Sequence, residues 1–122
     1  MANIKTVIKR YVATGKSETE CNTLLVEYLK RSGIDAQLTN GRGPDVTGKD
    51  FIIEGKWDLL SKVVLDRLVG QLNGYMNRYH HYIFVVIYGD AKYSLLVELV
   101  DFCRRQSYTP CVEVIVLRDI VK

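Results

Sequence analysis

The segment that says most about the fold of this chain is residues 44–56. Its sequence is Pro44-Asp45-Val46-Thr47-Gly48-Lys49-Asp50-Phe51-Ile52-Ile53-Glu54-Gly55-Lys56. Two strand-like segments, 45–47 and 50–57, flank Gly48 and Lys49. Glycine at the first position of a two-residue loop favours a type II′ turn. The segment is therefore predicted to form a tight β-hairpin.

The predicted hairpin brings charged side chains together. Its turn places Asp45 opposite Ile52, and Glu54 is then the diagonal neighbour of Asp45, about 7–8 Å away between backbones. Because side chains alternate along a strand, Lys56 lies on the same face. Two carboxylates beside an ammonium suit metal-assisted hydrolysis of a phosphodiester. The alternative is a solvated hairpin with an ordinary charge pair, but burying charge in so apolar a strand is costly without a partner or metal.

The rest of the chain alternates between helical and strand patterns. Apolar spacing predicts helices over 3–13, 18–32, 59–79 and 92–106, and strands over 34–38, 82–88 and 112–117. Ser17 is predicted to cap the second helix, with Glu20 completing a capping box, and Gly33 ends that helix. We therefore expect an α/β fold in which helices flank a mixed β-sheet.

Composition limits the class of protein. The 122 residues predict a single domain over 1–122, and 48% hydrophobic with 25% charged residues is ordinary for a globular protein. The net charge of +3 permits nucleic-acid binding. Cys21, Cys103 and Cys111 show no ligand spacing and predict reduced thiols, hence a cytoplasmic protein. Without a long apolar run or signal-peptide pattern, no membrane association is expected.

Pro44-Asp45 followed by Glu54-Gly55-Lys56 resembles the signature of the PD-(D/E)XK nucleases, the restriction-endonuclease-like superfamily. The order of elements over residues 17–118 is similar as well. The resemblance implies an αβββαβ core and a Mg²⁺-dependent DNA endonuclease in which Mn²⁺ substitutes. The expected action is structure-selective or weakly sequence-specific, because so short a chain leaves no separate sequence-reading domain.

The resemblance also implies roles for individual residues. Asp45 would bridge the metal ion or ions, Glu54 would be the second carboxylate ligand, and the Gly55 carbonyl would add a third oxygen. Lys56 would stand beside the attacking water. Glu20 resembles the helix glutamate that completes the metal shell in many members, although its capping role explains it equally well.

Further candidates surround this centre. Gln71 and Tyr75 match a Gln-x-x-x-Tyr pattern of several branches and lie on one helical side. Gln71 could hold Lys56 or a phosphate, and Tyr75 could contact the strand or nucleic acid, with core packing as the alternative. Arg42 and Arg78 are candidate phosphate contacts, or surface residues that serve solubility.

Partners follow from the same resemblance. Archaeal-type Holliday-junction resolvases are similarly compact dimers, so a homodimer on DNA, possibly branched, is expected. The rival hypothesis is a non-catalytic nucleic-acid- or protein-binding module on the same fold. Trp57 could stack on a base, but its position after a central strand favours burial in the core.

Overall fold

The computed structural model describes residues 3–39 and 43–122. Its helices are α1 (Ile4–Lys9), α2 (Glu18–Arg31), α3 (Lys62–Arg78) and α4 (Tyr93–Arg105). Its strands are β1 (Ala36–Leu38), β2 (Val46–Gly48), β3 (Phe51–Lys56), β4 (Tyr82–Ile87), β5 (Ala91–Lys92), β6 (Val112–Val116) and β7 (Ile120–Val121). The predicted α/β class is confirmed. No helix in the described parts is long and apolar enough to cross a bilayer.

The main sheet has five strands in the order β1-β2-β3-β4-β6. The first three form an antiparallel meander, whereas β4 and β6 run parallel to β3. Helices α3 and α4 connect the parallel strands, as a parallel pair requires a crossover. A mixed sheet results, and β3 lies at its centre.

Each face of the sheet carries its own core. One face packs α1 and α2 against Phe51, Ile53 and Phe84. The opposite face packs α3 and α4 against alternating residues such as Ile52 and Val85. All six residues of β3 are buried, so both faces of that strand lie inside the protein.

The helix boundaries follow their caps. Ser17 Oγ accepts a hydrogen bond from the Glu20 N–H at 3.1 Å and begins α2, and Gly33 ends it with φ at 82°. Helix α1 stops at Lys9 and is shorter than predicted, because Tyr11 reaches the core from irregular backbone. The predicted start of α3 at 59 is also wrong, since Leu59 bridges to β5 and Ser61 caps the helix.

The hairpin has a different register from the predicted one. Val46 pairs with Ile53 and Thr47 with Ile52, so Lys49 and Asp50 form the turn instead of Gly48 and Lys49. Gly48 does not have positive φ, and a Cβ there would lie 2.1 Å from the Phe51 ring. Its role is therefore to admit that ring. The register differs from the prediction by two residues, which leaves each side chain on its expected face.

Candidate active site

The site is built on the last residues of β3. Glu54 and Lys56 lie on the face that packs against α3, and they are only 3% and 9% exposed. Lys56 Nζ lies 3.4 Å from Glu54 Oε2, which forms an ion pair inside the protein. The predicted pairing of Glu54 with Lys56 is thus present, in a setting where an unpaired charge would be costly.

Asp45 closes the group from the other strand of the hairpin. The observed register continued by one position puts it directly opposite Glu54, closer than the predicted diagonal. Its Oδ2 accepts the Gly55 N–H at 2.8 Å, so the carboxylate replaces the ladder partner that β2 would otherwise supply. The structure therefore brings Asp45, Glu54 and Lys56 together at one end of the sheet.

Gly55 contributes its backbone N–H and carbonyl to the site, and its lack of a side chain leaves room for neighbouring residues. Alternate residues of β3 bond to β4, as in the Tyr88 N–H to Lys56 carbonyl bond of 2.8 Å. The Gly55 carbonyl therefore points to the opposite side, toward Asp45. A Cβ at position 55 would lie 2.2 Å from Asn22 Oδ1, which accepts the Tyr88 hydroxyl. Only glycine fits against this buried pair.

Tyr75 supports Glu54 from α3. Its hydroxyl donates to Glu54 Oε1 at 2.6 Å, and its ring is 3% exposed. The predicted contact with the strand is present, whereas the predicted nucleic-acid contact is wrong, because a ring buried beneath the sheet cannot meet a polymer. Burial, followed by the hydrogen bond to Glu54, raises the Tyr75 pKa above its ordinary range, so the phenol remains a donor.

The pKa of Glu54 is strongly perturbed. It is raised from 4.5 to about 7, chiefly because the carboxyl is buried and secondly because the Asp45 carboxylate is close to it. The Tyr75 hydrogen bond and Lys56 act against this rise. A carboxyl that is half ionised near neutral pH beside a second acid is a common property of functional sites.

Glu18, two positions before Glu20 on α2, reaches the site. Its Oε1 accepts the Trp57 N–H at 3.0 Å, and burial raises its pKa while Lys56 opposes the rise. Glu20, the predicted member, is exposed and contributes its backbone N–H to the Ser17 cap. Positions two apart on a helix point to different sides, so Glu18 and Glu20 do not face the same surroundings.

The remaining candidates lie farther out. Gln71 is half-buried on α3, and its Oε1 has no hydrogen-bond partner among the described residues. It therefore does not form the predicted hydrogen bond with Lys56. Arg78 is exposed at the end of α3, with its guanidinium 5.9 Å from the centre of the Tyr79 ring. Arg42 lies outside the described residues. Trp57, expected in the core, is 43% exposed.

The oxygen-rich donor set suits a hard cation such as Mg²⁺, which binds one or two carboxylates and fills its other positions with water and substrate. Within residues 3–39 and 43–122, no group of three or more His, Cys, Asp or Glu could hold a metal ion. Asp45 and Glu54 are the two carboxylates that the hairpin brings together at this site.

Comparisons with protein-family models, with curated proteins and with solved structures find no match for this chain.

Proposed function

We propose that this protein is a Mg²⁺-dependent DNA endonuclease of the restriction-endonuclease-like superfamily. The order α2-β1-β2-β3-α3-β4, with an antiparallel meander followed by a parallel strand, is the order expected of an αβββαβ core. The observation that carries the proposal is the meeting of Asp45, Glu54 and Lys56 at the end of β3.

The surrounding contacts support different roles for Asp45, Glu54 and Lys56. Tyr75 holds Glu54 Oε1, so the other oxygen is directed to Lys56. The Gly55 N–H fixes Asp45 beside it. Asp45, Glu54 and the Gly55 carbonyl would hold Mg²⁺, which when bound polarises the phosphate and activates water.

Lys56 would act on the substrate itself. Its ammonium, 9% exposed, can donate hydrogen bonds to a phosphate oxygen and stabilise the charge that grows as water attacks phosphorus. Glu18 would help by anchoring the Trp57 N–H at the end of the same strand.

We further propose DNA, possibly branched, as the substrate, and a cytoplasmic homodimer as the acting form. The net charge of +3 favours a polyanion, and all three cysteines are free thiols. A dimer would present two centres to one substrate, as a Holliday-junction resolvase does. Sedimentation velocity on the purified chain tests this assembly, and a monomer at micromolar concentration would contradict it.

A binding module on the same fold is the second candidate. The occupation of Asp45 Oδ2 by the Gly55 N–H favours it, because the carboxylate has a structural role that needs no ion. In that case nucleic acid or a protein partner would bind without cleavage, and substitutions at Asp45 or Lys56 would leave binding unchanged.

The deciding experiment incubates the purified protein with duplex, single-stranded and four-way-junction DNA in Mg²⁺, Mn²⁺ or EDTA. We expect cleavage only with metal, and losses of about 10²–10³ in rate for Asp45→Ala and Lys56→Ala. Asp35→Ala and Lys49→Ala, both exposed, are the matched controls and should retain activity. If circular dichroism shows that the protein is folded and no substrate is cleaved, the proposal that it is a nuclease is refuted.

The two helix glutamates provide a sharper comparison within one turn of α2. Glu18→Gln should reduce the cleavage rate, because Glu18 reaches the end of β3, whereas Glu20→Gln should not. The reverse ranking would show that the candidate site has been assembled from the wrong helix position. Both variants keep the Ser17 cap, so a difference between them is not a difference in helix stability.

A further inference from the structure

The main sheet has an open edge at β6. Only β4 pairs with β6, and no described segment lies beside its other side. The Ile83 N–H donates to the Cys111 carbonyl at 3.0 Å, so the odd-numbered residues of this segment direct their backbone groups to β4. Alternate residues of a strand direct those groups to opposite sides. The N–H and carbonyl groups of Val112, Val114 and Val116 therefore point outward, and these three residues are called the β6 edge.

The β6 edge carries none of the usual protection. An open edge is a template for a further strand, and proteins commonly block it with a lysine, a proline or a bulge. None of these interrupts residues 112–116. The one charged residue of the strand, Glu113, points to the opposite face from the valines, and its Oε2 lies 2.6 Å from Lys5 Nζ. A regular row of backbone donors and acceptors is thus left without partners among the described residues.

A groove of about 410 Å³ accompanies the β6 edge on the side of the sheet that α4 covers. Helix α4 contributes Val100 and Arg104 to its lining, and β6 contributes Val112 and Val114. All three valines of the edge lie on this face of the sheet. A strand added beside β6 would direct every second side chain to the same face, next to the groove. The valines there favour a strand whose side chains at those positions are apolar.

We propose that the β6 edge binds β6 of a second copy of this chain, an inference that rests on the proposed homodimer for its occupant. The two strands run antiparallel about a two-fold axis at Val114, and the two five-stranded sheets become one. Val114 then pairs with the partner's Val114, and Val112 pairs with the partner's Val116. Each such pair exchanges two hydrogen bonds, so every outward N–H and carbonyl of the β6 edge is satisfied.

The charge pattern of β6 selects both the occupant and the register. With the axis at Val114, Glu113 lies opposite the partner's Ile115, and valines oppose valines on the other face. An axis one residue earlier would set Glu113 directly opposite its own copy, where like charges destabilise a pair. An axis one residue later would leave Val112 beyond the end of the partner's strand. Because the valines are symmetric about Val114, the strand is complementary to itself.

This register also locates the two candidate active sites. Glu54 is level with Val85, and Val85 is level with Val114, so Glu54 lies at the level of the two-fold axis. Strands β4 and β6 and their two copies separate β3 from the partner's β3. At about 4.8 Å for each strand spacing, the two Glu54 residues lie about 24 Å apart across the joined sheet. The dimer would therefore present two centres at a fixed spacing.

Cysteine cross-linking tests the position of the axis. The Cα atoms of a hydrogen-bonded antiparallel pair are about 5.5 Å apart, which a disulfide can span. Val114→Cys should therefore give a covalent dimer after mild oxidation. Val112→Cys is the matched control and should not, because its copy lies about 13 Å away along the strand. Wild type, with free Cys21, Cys103 and Cys111, gives the background. Equal cross-linking of the two variants would overturn the register.

Two further variants test the edge itself by sedimentation velocity. Val114→Pro removes an N–H that points away from β4, so the monomer keeps its own ladder. The dissociation constant of the dimer should rise on the order of 30-fold, since two hydrogen bonds are lost. Val114→Lys keeps the backbone and should weaken the dimer by setting like charges opposite each other. Val63→Lys, at a site 67% exposed on α3, should dimerise like wild type. A dimer that neither Val114 variant weakens would overturn the interface.

The outcomes for the interface and for the nuclease are distinct. A cross-linked Val114→Cys dimer, in a protein that cleaves no DNA, would retain the interface and remove the nuclease. Cleavage by a wild-type monomer, or by a dimer that Val114→Lys and Val114→Pro leave intact, would retain the nuclease and overturn the interface. A monomer that binds an extended valine-rich peptide at the β6 edge would overturn the second copy as its occupant.

Discussion

Substitution of Glu54 by Gln should remove a large pH dependence from the stability of this protein. The pKa of Glu54 is raised from 4.5 to about 7, so the folded chain keeps a proton that the unfolded chain releases. Stability therefore falls as the pH rises through this window. At about 1.4 kcal/mol for each pH unit between the two pKa values, Glu54 costs the fold roughly 3 kcal/mol above pH 8.

The measurement compares urea unfolding of wild type and Glu54→Gln, followed by circular dichroism from pH 4 to 8.5 in EDTA. Gln retains an oxygen for the Tyr75 hydroxyl but cannot ionise, and other groups titrate in both proteins. The stability of wild type relative to the variant should thus fall by roughly 3 kcal/mol over this range. Glu27→Gln, an exposed position on α2, should follow wild type throughout.

Repeating the unfolding measurements with Mg²⁺ connects this prediction to the proposed function. Mg²⁺ binds the ionised carboxylate, so at pH 8 it should restore stability to wild type and leave Glu54→Gln nearly unchanged. Parallel pH profiles for the two proteins in EDTA would refute the assignment of a buried, proton-retaining Glu54. An equal response of both proteins to Mg²⁺ would remove Glu54 from the metal site.

Two further outcomes follow from the packing around the site. Tyr75→Phe leaves Glu54 Oε1 without its 2.6 Å donor, so the unfolding free energy at pH 8 should drop by about 1–3 kcal/mol and the Glu54 pKa should rise further, as measured by the same pH series. Gly55→Ala would place a Cβ 2.2 Å from Asn22 Oδ1, so its free energy of unfolding should fall by several kcal/mol, on the order of 3 or more. Gly70 lies on an open face of α3, so the free energy of unfolding of Gly70→Ala should rise by up to about 1 kcal/mol. Urea unfolding measures both. A stable Gly55→Ala protein would contradict the close contact.

Local patterns anticipated much of this fold. Ser17 and Gly33 mark the two ends of α2 because capping groups satisfy free backbone groups near the residues that carry them. The predicted strand over 82–88 is present as β4, and its unbroken apolar residues from Ile83 to Ile87 are all buried. Glu54 and Lys56 share a face because the period of a strand is two, and that holds whichever register the hairpin adopts.

Other features depended on how distant segments meet. Gly48 is next to the turn rather than in it, because the Phe51 ring needs the space of a missing side chain. Tyr75 is buried because α3 docks on the face that carries Glu54. The two-residue strands β5 and β7 carry no periodic signal of their own and exist through their mutual pairing.

The same division applies to the candidate site. Residue order predicted that Asp45, Glu54 and Lys56 would converge, since all three belong to one hairpin and its geometry is local. The choice of Glu18 over Glu20 and the exposure of Trp57 depend on the rotation of α2 and on the end of the sheet against which it packs. Helix periodicity defines which residues share a side, but only packing against a partner decides where that side points.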